Sequence, residues 1–397
     1  MFSKKNRIYL DYASLTPIDP EVIKEMNIYS SPEYANPSSL YKEGVSAKEA
    51  LKQGRKVTAD FIHAHSDEII FTSGGTEANN LAIIGVVEEL RSQGVDYKDM
   101  HIVASSIEHS SVRECLNYLN DREVETYVVK VDSSGIVDLE DLKKKIKPNT
   151  VIVSVMTVNN EIGTRQPIRE IAKIIRNARK KFYSGGGNKD TISPLANSAR
   201  NSVFVPATQT SFDFRSDIQY PLFHTDAAQA TLHYDLNVEK LGVDLMTIDG
   251  SKMYGPRGIG FLYKRRNVKL ARIVHGGGQE DGLRSGTEPL PQIMGLVRAV
   301  ELISKDKEGE TARIMRLKSE FIAGLRNIRP NIIVNGSEIC SPHILNVSIP
   351  GIDAEFFVLQ LDAKGIACST KSSCLRDEDE SYVLKAIGAN SRNSLRF

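Results

Sequence analysis

The chain has 397 residues, 41% of them hydrophobic and 25% charged, and its 51 Lys+Arg nearly cancel its 50 Asp+Glu to leave a formal net charge of +1. That is the composition of a soluble globular protein with room for more than one domain, and it gives no electrostatic case for nucleic acid or an anionic membrane surface. No apolar run approaches a membrane-spanning length, and the polar, basic stretch Met1–Arg7 lacks the apolar core of a secretory signal. The four cysteines, Cys115, Cys340, Cys368 and Cys374, show neither metal-ligand spacing nor a disulfide framework, so no metal site is expected and a reducing cytoplasm fits best.

In chain order, Glu68–Thr72 reads as a strand and Glu77–Arg91 as a helix with Leu81, Ile84, Val87 and Leu90 on one apolar stripe. His101–Ser105 and Val151–Met156 are further strands, the second an almost unbroken apolar run of the kind covered on both faces. Ile168, Ile171, Ile174 and Ile175 recur at helical spacing, and Leu222–Thr225 and Leu245–Ile248 supply two more strands. Between Tyr183 and Gln219 the composition turns to Ser, Asn, Thr and Gly, which predicts a surface insertion. Past Arg266 come a Gly276–Gly278 loop, a helix with Ile293, Leu296, Val297, Val300 and Ile303, and short strands at Ile332–Val334 and Ile344–Ser348. The alternation argues for a mostly parallel, doubly wound α/β sheet followed by a smaller α+β unit. The expected division is a large domain over residues 15–266 and a small one over residues 267–397 joined by residues 1–14.

Ligands of such sheets bind beyond the carboxyl ends of the strands, and the polar residues there form a set. Ser73-Gly74-Gly75-Thr76 opens a helix with the free N–H groups that suit a phosphate. Glu108-His109, Asn159-Asn160-Glu161, Asp226 with Gln229, and Asp249-Gly250-Ser251-Lys252 follow the next four strands. Lys252 is a primary amine placed to form a Schiff base with a carbonyl cofactor, and Asp226 is an anion suited to keep a pyridine nitrogen protonated. Asn160 and Gln229 suit a ring hydroxyl, and His109 can stack on a ring and carry protons near neutral pH. Each alone has a bland explanation in capping, turns or core packing; together they match the needs of pyridoxal 5′-phosphate.

The sequence resembles the cysteine desulfurases of the class V aminotransferase family. The resemblance rests on Tyr9-Leu10-Asp11-Tyr12, Asn36-Pro37-Ser38-Ser39, Thr72–Asn80, Val158–Thr164, His224–Gln229, Lys252 with Tyr254-Gly255-Pro256, Gly276–Glu280 and Arg284–Glu288. It implies an aspartate aminotransferase-like fold with a mostly parallel seven-stranded sheet, and pyridoxal phosphate held by Gly75, Thr76, His109, Asn160, Asp226, Gln229, Ser251 and Lys252. It further implies a homodimer in which Thr287 reaches the cofactor phosphate across the subunit interface. Substrate contacts are expected from Asn160 and Arg396. The stretch Gly365–Cys374 resembles the loop of the persulfide cysteine, so Cys374 is implied as nucleophile beside Lys252 and His109 as the other catalytic residues. The implied reaction takes sulfur from L-cysteine, releases alanine and passes the sulfur to an iron–sulfur scaffold or a tRNA-thiolation enzyme. Cys115, Cys340 and Cys368 are expected to be structural.

Three departures accompany the resemblance. Asp249 stands where a phosphate-binding serine is usual, Ser251 where a histidine is usual, and Lys371 where a glycine is usual. Arg396, one residue from the end of the sequence, is expected to be poorly anchored. Selenocysteine lyase, a class V transaminase and a catalytically silent scaffold remain as alternatives.

Overall fold

A computed structural model describes residues 7–183, 218–370 and 380–397. Most of the expected insertion and the segment 371–379, with Lys371 and Cys374, lie outside the described residues. Strand β1 (Ile8–Tyr9) leads into helices α1 (Pro20–Ser30) and α2 (Lys42–Phe61). The next part alternates β2 (Ile69–Thr72), α3 (Gly75–Ser92), β3 (His101–Ser105), α4 (Ser110–Asn120), β4 (Glu125–Val129), α5 (Leu139–Lys145), β5 (Thr150–Ser154) and α6 (Ile168–Tyr183). It continues with β6 (Leu222–Asp226), α7 (Val238–Leu241), β7 (Leu245–Asp249) and β8 (Gly260–Lys264). The last part holds α8 (Leu290–Lys305), α9 (Lys307–Ile328), β9 (Ile333–Asn335), β10 (Asn346–Ser348), α10 (Ala354–Ala363), β11 (Ile366–Ala367), α11 (Tyr382–Ala386) and β12 (Ser394–Arg396).

Seven strands form one sheet in the order β2-β8-β7-β6-β5-β3-β4. All neighbours are parallel except β8, which runs antiparallel to both β7 and β2. The sheet sorts its side chains by the two-residue period of a strand. Ile69 and Phe71 pack with α2, α6 and α8 on one face, while Ile70 turns to the other face with α3 and α4. Burial on both faces explains the unbroken apolar strands at the sheet centre.

Two strands of this sheet, β4 and β8, are not among the strands expected from the sequence. β4 is an edge strand whose Glu125–Val128 are exposed or half-buried, and its apolar run is only Tyr127-Val128-Val129. β8 has five residues, like most of its neighbours, with the buried run Phe261-Leu262-Tyr263, and it directly follows a glycine-rich turn. The α8 residues Leu290, Ile293, Leu296 and Val300 belong to the large core, where the helix packs on α1 and α2.

A second sheet, β12-β10-β9, is antiparallel and carries its own cluster of Leu345, Val347, Ile349 and Leu395 beneath Ala354 of α10. β1 pairs in parallel with β11 and ties the two ends of the chain together. None of the described helices is long and apolar enough to cross a membrane.

Candidate active site

The carboxyl ends of β2, β3, β5, β6 and β7 open into a pocket of about 190 Å³. Gly75, Thr76, His109, Asn160, Asp226, Gln229, Lys252 and Arg396, all expected from the sequence, line it together. Parallel strands of the large sheet deliver Gly75 to Lys252 in the same direction, and β12 of the second, antiparallel sheet adds Arg396 to the same pocket.

Asp226 is the last residue of β6 and is 6% exposed. Its Oδ1 accepts the Ala228 N–H at 3.0 Å, and its Oδ2 accepts Asn79 Nδ2 at 2.8 Å. Asn79 also donates from Nδ2 to Ser111 Oγ at 2.8 Å, and its Oδ1 is buried without a hydrogen-bond partner. Asn79, within the Thr72–Asn80 stretch, is not among the site residues expected from the sequence. A signal was available: Asn79 is four residues from Gly75 and so shares its helix face, a polar side chain on an otherwise apolar stripe.

Lys252 ends a short helical turn after β7 and donates from Nζ to the Ser14 carbonyl. His109 N-caps α4, accepting the Ser111 N–H at Nδ1 over 3.2 Å, with Ser111 Oγ at 2.8 Å from the same nitrogen. Its neighbour Glu108 is fully buried. Burial pushes this carboxyl up to about 8, opposed by hydrogen bonds from the Ser105 hydroxyl and the Met156 N–H and assisted by the charge of Asp226. A raised carboxyl beside the pocket is a feature that periodicity and spacing do not reveal, because it follows from desolvation in the fold.

Gln229 is held from both ends of its amide. Nε2 donates to the Ala13 carbonyl at 2.8 Å, and Oε1 faces His343 Nε2 at 3.2 Å. The Asn160 side chain lines the pocket while its carbonyl accepts Arg396 Nη1 at 3.0 Å.

The expectation of a poorly anchored Arg396 is corrected. Arg396 sits in β12, opposite Asn346 of β10, and bridges Ser369 on its other side. The residue is 1% exposed, because ladder bonds on both edges hold a strand against fraying even near a chain terminus.

Ser251 is near the pocket but turned to Asp249, donating to its Oδ1 from N at 2.8 Å and from Oγ at 2.6 Å. Thr287 is exposed and outside the pocket lining. Cys374 lies outside the described residues. The other cysteines are free; Cys115 and Cys368 are buried, and burial pushes their thiols up to about 12 and about 11.

The model of the class V aminotransferases matches residues 8–183 and 217–396. The chain belongs to that family. Among curated relatives, the cysteine desulfurase IscS of Dictyoglomus turgidum is 35% identical, covering 99% of this chain and 89% of that protein. The mitosomal cysteine desulfurase of Trachipleistophora hominis is 37% identical over 98% of this chain and 81% of its own. A solved NifS-like protein superposes with a TM-score of 0.82 at 29% identity, covering 98% of this chain and 93% of its own. A structure described as SspA in complex with cysteine gives 0.76 at 30% identity, covering 98% and 97%. With these relatives the chain stands among the cysteine desulfurases, which are pyridoxal 5′-phosphate enzymes.

The residues present fit that cofactor. A buried carboxylate, the unpartnered Asn79 Oδ1, a lysine amine and the first turn of α3 surround one pocket. The N-terminus of α3 suits an anion, and it already receives one: the Asp249 carboxylate accepts the Gly75 N–H at 3.1 Å.

Proposed function

We propose that the chain is a pyridoxal 5′-phosphate-dependent cysteine desulfurase that moves the sulfur of L-cysteine onto Cys374 and releases L-alanine. The observation that carries this reading is the meeting of Lys252, Asp226, His109 and Arg396 around one pocket. When bound, the cofactor supplies an electron sink for the bonding pair released at the substrate Cα.

The chain's own groups divide the remaining work. Lys252 carries the cofactor through its amine and moves the proton at the substrate Cα. Asp226, fixed by Asn79 and the Ala228 N–H, holds the ring nitrogen protonated. His109 stacks on the ring and exchanges protons, and Gly75, Thr76 and Ser251 serve the phosphate. Asn160 and Gln229 orient the ring, and Arg396 binds the substrate carboxylate through its guanidinium, with Asn160 again in contact. The Cys374 thiolate attacks the substrate sulfur, and a sulfur–sulfur bond forms as the carbon–sulfur bond breaks. The electron pair of the broken bond stays with the substrate Cβ, which takes up a proton, and with a proton returned to Cα the three-carbon product leaves as alanine. The persulfide then serves a sulfur-acceptor protein, an iron–sulfur scaffold or a tRNA-thiolation enzyme.

A homodimer belongs to this reading. Thr287 is exposed and away from the pocket lined by its own chain, which supports a contact across a subunit interface. The free thiols support a reducing compartment, and we take it to be the cytoplasm. The two-domain division, with residues 267–397 and 1–14 as the small domain, is kept as part of the proposal; the separate apolar cluster of the second sheet supports a second unit, while α8 packs on the large core.

The test is mass spectrometry of the Cys374 peptide after exposure to L-cysteine, with Cys374→Ala as control and alanine scored in parallel. One added sulfur on Cys374 and stoichiometric alanine are expected. An adduct on another cysteine overturns the nucleophile, and a keto acid without persulfide overturns the reaction class.

A further inference from the structure

The last residue of β7, Asp249, places its carboxylate against the first turn of α3, an 18-residue helix. Its Oδ2 takes the Gly75 N–H at 3.1 Å, and its Oδ1 takes the N–H and hydroxyl of Ser251 at 2.8 and 2.6 Å. The approach is close: a Cβ added at Gly75 would stand 3.2 Å from Asp249 Oδ2. Gly74, just before it, has φ of +140°, a backbone conformation that opens the turn. The carboxylate thus collects one helix amide, one loop amide and one hydroxyl, the donor set that an incoming phosphate would use.

Asp249 and Gly75 line the same pocket as Lys252 and Asp226. In that pocket the buried Asn79, 1% exposed, has an oxygen without a hydrogen-bond partner, which independently marks the pocket as a ligand site. Two anions at one helix terminus repel, and the donors that hold one are withdrawn from the other.

We infer that Asp249 is a specificity-determining residue for the anionic end of the ligand: its carboxylate competes with the cofactor phosphate for the Gly75 and Ser251 donors and weakens its binding. This rests on the reading of the pocket as the pyridoxal phosphate site. The competition acts only on a charged end. Pyridoxal, which has a neutral hydroxymethyl group in place of the phosphate ester, escapes it.

The test titrates full-length protein, stripped of cofactor with a carbonyl reagent, with pyridoxal 5′-phosphate and separately with pyridoxal, following absorbance. Wild type is compared with Asp249→Ser, which frees the donors, and with Asp249→Asn, an isostere that removes only the charge. Both variants are expected to bind the phosphorylated cofactor about tenfold tighter or more, the scale of a like-charge neighbour removed. Pyridoxal affinity is expected to stay unchanged in all three proteins. Unchanged or weaker cofactor binding in both variants overturns the inference, as does an equal gain for pyridoxal. If no protein develops a cofactor band at all, the pocket reading itself falls and carries this inference with it.

Discussion

Arg396 Nη2 donates to Asp11 Oδ1 at 2.8 Å, joining the last strand of the chain to the segment just after β1 across a partly buried contact. Arg396 is almost wholly enclosed, and Asp11 also accepts the Ser369 hydroxyl at 3.2 Å on its other oxygen. The pair fixes the direction of the guanidinium, since Asn160 holds Nη1 while Asp11 holds Nη2. Asp11 is therefore the orienter of the group proposed to bind the substrate carboxylate.

Substituting Asp11→Ala should leave a buried guanidinium with one partner fewer. Breaking such a pair costs about 3 kcal/mol of stability. Steady-state kinetics should show KM for L-cysteine rising about tenfold with kcat less affected, as expected for a lost binding contact. A variant with unchanged KM and unchanged denaturation midpoint would show that Arg396 is oriented without Asp11.

Asn79→Ala should act through Asp226. The carboxylate loses its side-chain donor in a buried setting, at a cost of about 1–3 kcal/mol. Cofactor affinity, read by absorbance titration, should fall, while Asn79→Asp should be worse than alanine because it sets two carboxylates together. Equal affinity in wild type and both variants would remove Asn79 from the site.

Glu108 gives a pH signature. Its folded carboxyl titrates at about 8 against an ordinary 4.5, so between those values the native state holds a proton that the unfolded chain has lost. Stability due to this group is full below pH 4.5 and declines as pH rises toward 8, with a slope of at most about 1.4 kcal/mol per pH unit. Glu108→Gln should abolish that decline. Chemical denaturation at pH 6 and pH 8 measures it, and parallel pH dependence in both proteins would contradict the burial argument.

His224 should give the opposite trend in acid. It is buried between Ser154 Oγ at 2.9 Å and Thr247 Oγ1 at 3.1 Å, and burial holds its ring down to about 3 from 6.5. The unfolded chain takes up a proton below 6.5 that the native ring refuses, so stability is lost as pH falls from 6.5 toward 3. His224→Gln should flatten that loss in thermal melts at pH 7 and pH 5. A slope identical to wild type would mean that the ring is protonated in the native state.

The site was legible because parallel strands end at one edge of the sheet. With Glu68–Thr72, His101–Ser105, Val151–Met156, Leu222–Thr225 and Leu245–Ile248 as strands of one mostly parallel sheet, the polar residues at their ends are bound to converge. Edge strand β4 escapes because its apolar run, Tyr127-Val128-Val129, is only three residues long. Asn79 and Glu108 were in plain view as letters, yet their roles depend on burial beside Asp226, which no local pattern encodes.

Chain order, periodicity and residue type alone determined the α/β alternation and the roster of groups that face the pocket, since both follow from local backbone preferences and the direction of each strand. Only the tertiary structure decided how those groups are charged, paired and held. Packing anchors Arg396 between β10 and Ser369, lifts the Glu108 carboxyl and lays Asp249 against the Gly75 amide of α3, because desolvation and contact arise between segments far apart in sequence.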